Sequence, residues 1–196
     1  LTARLHINKV GIRVLGVAES FSKSDKKSVL GCVVMRGDLV IDGIVIGSAT
    51  VGGDDATEAV LRAFKSLSRN DINAIMLSGC VLSMYNIVDV DGLAKRSRVP
   101  VVCLTYRETS GIESAIRHHF PVGAERKLAA YRSLGERKRV RLSSGKSIYI
   151  RVSGIAEPDA IALVDKFTMQ GSLPEPVRVA KLLARAVRAA GSSRLG

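Results

Sequence analysis

Side chains able to grip phosphate outnumber every other chemically useful group in this chain. Between residues 117 and 151, Arg117, Arg126, Lys127, Arg132, Arg137, Lys138, Arg139, Arg141, Lys146 and Arg151 face only Glu125 and Glu136. Over 196 residues, 30 Lys and Arg oppose 18 Asp and Glu, a net charge of +12 and a pI near 10.1. Such a field draws polyanions. A second basic group, Arg178, Lys181, Arg185 and Arg188, recurs at spacings of three and four, so a helix would carry it as one stripe. That stripe reads either as a rail for backbone phosphates or as the solvated outer face of an amphipathic helix, with Val179, Leu182, Leu183, Ala186 and Val187 on its other sides.

Nucleophilic and acidic groups are sparser. Cys32, Cys80 and Cys103 form neither a C-x-x-C pair nor an even set, so they read as reduced thiols rather than zinc ligands or a disulfide framework. His6, His118 and His119 offer Cys80 no base, which argues against a thiol enzyme. Asp55 and Glu58, at Asp-x-x-Glu spacing, have the form of a capping box, in which each carboxylate satisfies a free helix N–H. Asp42, Asp89 and Asp91 lie near predicted turns and helix ends and read as structural.

The elements needed to position these groups follow from apolar periodicity. Residues 10–17, 28–36 and 39–47 are β-rich, and Arg36-Gly37-Asp38 makes a hairpin of the last two. A helix is expected from 55 to about 67, a buried strand at 73–78, a helix at 85–97 and a second buried strand at 99–106. Short, nearly continuous apolar runs separated by helices predict parallel strands covered on both faces. Helices follow at about 111–119 and 123–135, then a basic hairpin around Ser143-Ser144-Gly145, then helices at about 157–169 and 175–190. A 46% hydrophobic content supports a real core, and no apolar run is long enough to span a bilayer. The start of the chain lacks the apolar centre of a secretory signal. A single domain over 1–196, cytoplasmic and not membrane-bound, is the expectation, with the basic hairpin and C-terminal helices at about 137–190.

Three antiparallel strands followed by α-β-α-β is the connectivity of a ribonuclease H-like α/β fold: a three-strand meander, then parallel strands, flanked by helices. In that architecture the C-terminal ends of the first strand and of the first parallel strand converge. Nucleases of this class place carboxylates there to hold Mg²⁺ against a phosphodiester.

Five segments carry a more specific resemblance: IRVLGVAESF (12–21), VVMRGDLVIDG (33–43), GGDDATE (52–58), AIMLSGCVLSMYNIVD (74–89) and GSLPEPVRVAKLLA (171–184). In order and spacing they resemble the archaeal family known as domain of unknown function ninety-nine, some of whose members are called endonuclease dU. That family is similar to endonuclease V, which shares the run Leu173-Pro174-Glu175-Pro176-Val177-Arg178. The resemblance implies Mg²⁺- or Mn²⁺-dependent cleavage at or near deaminated bases, and hence DNA repair.

The chain departs from the family where metal is expected. Ala18-Glu19 stands in place of an Asp-Asp pair after the first strand, and Ser78-Gly79 in place of a strand-end Asp-Gly. Lys181 replaces a histidine, and the catalytic histidine of endonuclease V falls near Gly154. The carboxylates left to act as catalytic groups are Glu19, Asp55 and Glu58, with Glu19 and Asp55 as metal ligands and Asp89 as a further candidate. Neighbouring strand residues point to opposite faces, so Glu19 serves only where a bulge or strand end turns it inward. The resemblance makes Ser78, Gly79 and Cys80 the lining of a base pocket, although a plain tight turn explains the same residues. Nucleic acid, DNA ahead of RNA, is the expected partner of Arg137, Lys138, Arg139, Arg141, Arg178, Lys181, Arg185 and Arg188. Two readings stand: an endonuclease for deaminated or modified nucleic acid with an altered carboxylate set, or a nuclease-derived binding protein that needs no metal.

Overall fold

The structure, a computed structural model, describes residues 5–106 and 111–192. Three long strands open the chain, β1 (Arg13–Ser20), β2 (Lys27–Arg36) and β3 (Ile41–Thr50), paired antiparallel in sequence order. After α1 (Ala56–Ser66), the fully buried β4 (Ala74–Leu77) pairs parallel to β1. A miniature hairpin, β5 (Val81–Leu82) and β6 (Asn86–Ile87), leads into α2 (Val90–Ser97). β7 (Val101–Thr105) is parallel to β4. Helices α3 (Glu113–His119) and α4 (Ala124–Ser133) precede the hairpin of β8 (Lys138–Arg141) and β9 (Ser147–Ser153), whose second strand runs antiparallel to β7. Helices α5 (Glu157–Lys166) and α6 (Glu175–Ser192) complete the described chain.

The principal sheet has seven strands in the order β3-β2-β1-β4-β7-β9-β8. This is the expected ribonuclease H-like arrangement. One face, bearing Leu15, Val17, Leu77 and Cys103, is covered by α1 and α2, which bury Val60, Leu61 and Leu93 against it. The other, bearing Val14, Ala18, Met76 and Leu104, is covered by α5 and α6, which bury Leu163, Val164, Val177 and Ala180.

Helix α6 lies unusually close to the sheet. A Cβ on Gly16 would come within 2.2 Å of the Pro176 backbone, and one on Gly31 within 2.2 Å of the Ala180 carbonyl. The seam therefore consists of small residues, Ala180 and Ala184, whereas Leu182 is half exposed rather than part of a broad apolar face. With α6 seated on β1 and β2, its basic stripe is carried to the C-terminal ends of β1 and β4.

Several boundaries differ from the expectation. The first strand starts and ends three residues late, with residues 9–12 in a turn closed by Ile12 N–H donating to the Lys9 carbonyl. Ala18 and Glu19 therefore lie inside β1, paired with Gly31 and Leu30, rather than after it. The helix expected from residue 85 begins only at Val90, where Asp89 accepts the Gly92 N–H at 2.9 Å as a helix cap. The residues before it form β5 and β6, too short to produce a periodic signal. Asp42, read as structural, bridges Arg13 and Arg69.

Candidate nucleic-acid interface

The parallel ladder of β1 and β4 places Val17 opposite Leu77 and extends one step further, with Ser78 N–H donating to the Val17 carbonyl at 2.9 Å. Ala18 and Ser78 are thus neighbours across the two strands. By alternation both belong to the face that carries α6, and Lys181 and Ser78 line the same two cavities. The side chains at this strand end are a methyl and a hydroxyl, with the Lys181 ammonium lining the same cavities as Ser78, and none of the three supplies an anionic oxygen. Mg²⁺ and Mn²⁺ take anionic and carbonyl oxygens and are repelled by a fixed cation. These three residues do not fit the metal, and among the described residues no group of three or more His, Cys, Asp or Glu could hold one.

The two cavities flank Lys181. The first, of about 370 Å³, is lined by Ser78, Gly79 and Cys80, by Leu104, Thr105 and Tyr106 at the end of β7, and by Ile112, Tyr131, Arg137 and Arg151. Gly79, at φ +103°, supplies the left-handed step that turns the chain behind Ser78. The second is a groove of about 640 Å³ bounded by Glu19, Ser20, Phe21 and Ser78 on one side and Lys181, Arg185 and Arg188 on the other. Arg188 donates to the Ser20 hydroxyl at 3.0 Å, which fixes the far end of the groove. Arg178 does not join it, since its guanidinium pairs with buried Glu175 on its own helix.

The basic hairpin is divided by its pleat. Lys138 shares the α5 face with Val140 and pairs with Glu157 at 2.5 Å. Arg139 and Arg141 lie on the opposite face, where Arg139 is opposite Tyr149. Arg137 stacks over the Tyr149 ring at 5.0 Å, and Arg151 donates to the Gly135 carbonyl at 2.9 and 3.1 Å; both line the smaller cavity. Of the first basic group, Arg137 and Arg151 reach the cavity beside Lys181, whereas Lys138, Arg139 and Arg141 line neither cavity. Arg151 was part of the basic run, but Tyr106 and Tyr131 carried no signal.

The three candidate carboxylates are not brought together. Glu19 accepts from both the backbone N–H and the hydroxyl of Ser83, the latter at 2.6 Å, on the side of the sheet away from Ala18. Burial pushes its carboxyl above the usual range, against the Ser83 hydrogen bonds and the attraction of Lys181. Asp55 makes no capping bond. Its carboxylate accepts from Thr50 N–H at 2.9 Å, Thr50 hydroxyl at 2.8 Å and Asn86 at 2.7 Å, while the Asn86 amide oxygen takes over the cap by accepting Ala56 N–H at 2.8 Å. Glu58 pairs with Arg96 of α2, so the expected capping box is absent and neither residue lines the cavities.

These bonds converge on one loop. Ser83, Met84 and Tyr85 are all left-handed, at φ 44°, 61° and 60°, a conformation that costs about 1 kcal/mol for each residue with a side chain. Glu19 holds Ser83, the buried ammonium of Lys127 donates to the Tyr85 carbonyl at 3.2 Å, and Asn86 ties the loop to Thr50 and Asp55. Cys80, at the base of this loop, touches Cys103; that hydrogen bond and Arg151 lower the Cys80 thiol against its burial, whereas burial raises Cys103. The three cysteines are free and buried. Gly154 ends β9 against Pro100, at the opposite end of the sheet from Ser78. A histidine there would not reach the site, so that alignment with endonuclease V fails in space.

Comparison with known proteins agrees with the fold. The family model described as Endonuclease dU matches residues 10–188. The chain belongs to the endonuclease dU family. A UPF0215 protein of Pyrobaculum calidifontis is 41% identical over 175 residues, 89% of this chain and 96% of that protein. The crystal structure of an Archaeoglobus fulgidus protein of unknown function superposes with a TM-score of 0.76 at 26% identity, covering 90% of this chain and 98% of the other. Endonuclease V of Ciona intestinalis, crystallised with a 24mer DNA containing an inosine, superposes at 0.63 with 14% identity over 91% and 86% of the two chains. That last likeness establishes a shared fold, and this endonuclease dU family member has the endonuclease V-like nuclease architecture. Among the described residues no helix is long and apolar enough to cross a membrane.

Proposed function

We propose that this endonuclease dU family member binds deaminated or otherwise modified nucleic acid, DNA in preference to RNA, in the cytoplasm and without a divalent metal between β1 and β4. One observation carries the reading: Lys181 and Ser78 form the shared wall of a cavity sized for one nucleotide and a groove lined by Arg185 and Arg188. The groove follows a strand backbone, the cavity takes a base turned out of the stack, and Lys181 neutralises phosphate where a metal would otherwise do so. The inosine-containing DNA bound by the Ciona relative supports a deaminated base as the target.

The alternative is cleavage with Mg²⁺ or Mn²⁺, for which Glu19 is the only one of the three candidate carboxylates that lines the groove. The test is fluorescence anisotropy on labelled strands containing uracil or hypoxanthine, across a salt series, with a parallel nicking assay. Binding should weaken with a log–log salt slope of about −0.7 to −0.9 per phosphate neutralised, and Lys181→Glu with Arg185→Glu should flatten it by about two phosphates. An unchanged slope removes the groove from the model, and nicking that a chelator abolishes returns the chain to the metal-dependent nucleases.

A further inference from the structure

The smaller cavity has a chemistry that a neutral base does not use. Among the described residues that line it there are three cations, Arg137, Arg151 and Lys181, and no carboxylate. Arg151 is fixed by a neutral partner, the Gly135 carbonyl, which orients the guanidinium without cancelling its charge. Lys181 forms no ion pair among the described residues. Beside them is Tyr106, whose hydroxyl is the one buried side-chain polar atom among the described residues without a hydrogen-bond partner. Buried polar groups are rarely left unpaired, and this one belongs to a residue of the cavity wall.

We infer that the cavity bounded by Tyr106, Tyr131, Arg151 and Lys181 is a site for a terminal phosphate monoester, carried by a nucleotide at the end of a strand or by a free mononucleotide. A terminal phosphate is close to dianionic at neutral pH and offers three acceptor oxygens, which suits cations and a phenolic donor together. An internal phosphodiester carries one charge and continues into chain on both sides. The volume of about 370 Å³ lies near the lower end of small-ligand cavities and holds a single nucleotide, with the Tyr131 ring available for its base. The adjoining groove along Lys181, Arg185 and Arg188 then carries the following phosphates. The inference rests on the nucleic-acid reading above and narrows it from an internal nucleotide to a terminal one.

The experiment compares one single-stranded sequence bearing a 5′-phosphate, a 3′-phosphate or hydroxyls at both ends, with a nucleoside monophosphate and its nucleoside as competitors. Affinity is read by anisotropy on wild type, Tyr106→Phe and Arg151→Gln, with thermal melts to confirm folding. Wild type should prefer one phosphorylated end by about tenfold, the scale of one charge-assisted hydrogen bond. Tyr106→Phe should reduce that preference to about twofold. Competition by the monophosphate but not the nucleoside identifies the free nucleotide as a ligand too; competition by neither assigns the site to strand ends. Equal affinity for all three strands, or a preference that survives unchanged in both variants, overturns the inference while leaving the groove reading intact. Failure to bind any strand or nucleotide overturns both.

Discussion

The two sides of the C-terminal end of β1 have been put to opposite uses. On the α6 side, Ala18 and Ser78 stand next to each other with no anionic group between them, and the cations of α6 line the space above. One residue along, the Glu19 carboxylate bonds to Ser83 on the other side while Glu19 still borders the groove. Asp55, also a candidate ligand by sequence, is committed to the same loop through Thr50 and Asn86. Glu19 and Asp55 are both bound up in anchoring a strained turn, although Glu19 also borders the α6 groove.

The comparison breaks most directly if the open side is made to resemble a metal centre. Ala18→Asp with Ser78→Asp sets two carboxylates side by side at a largely buried position, so without metal the fold should lose about 3 kcal/mol despite Lys181 nearby. Mg²⁺ or Mn²⁺ should then restore stability in the double variant and leave wild type unmoved, as read by thermal melts with and without the cation. A wild-type melt that shifts equally with Mg²⁺ would mean that the unaltered protein already binds the cation.

The enclosed side should respond to loss of its anchor. Glu19→Ala leaves the Ser83 N–H and hydroxyl without their acceptor and releases a turn of three left-handed residues, which should cost about 2 kcal/mol in denaturant unfolding. A carboxylate serving only as a metal ligand would show the reverse, since removing its buried charge relieves desolvation and stabilises the metal-free protein.

Asp55 gives the smallest effect and a defined pH window. Desolvation opposes its ionisation, but hydrogen bonds from Thr50 and Asn86, with Lys27 nearby, outweigh it and hold its pKa at about 2 against an ordinary 3.8. The folded state therefore favours the ionised form. Its stabilising contribution is complete above the unfolded value and disappears as pH falls through about 2. Because the side chain is about a third exposed, solvent screening reduces that contribution to about 1 kcal/mol. Chemical denaturation between pH 5 and pH 2, at roughly the limits where such a group titrates, should show wild type losing this increment and Asp55→Ala not losing it. Parallel pH profiles would remove Asp55 from the anchoring set.

Much of this was written into the linear pattern. Alternation and uninterrupted apolar runs determine the antiparallel meander, the two buried parallel strands and the basic hairpin, because each depends on local periodicity and on which faces must be covered. The spacing of Lys181, Arg185 and Arg188 places them on one helical stripe, and the substitutions Ala18 and Ser78 follow from residue identity alone. The direction of each carboxylate does not follow. Glu19 and Ser83 are 64 residues apart, and Asp55 and Asn86 are 31 apart, so their bonds arise only when α1, β4 and the β5–β6 hairpin are packed together. The capping box was a sound local inference that a distant amide displaced, since a helix N–H donates to whichever acceptor the tertiary fold brings nearest. The stripe on α6 had no stated destination until Gly16 and Gly31 allowed the helix to settle onto β1 and β2. Backbone contact at that distance fixes the helix by sterics, and it alone carries Lys181 over the end of β4, where the fold makes one cation the wall of two cavities.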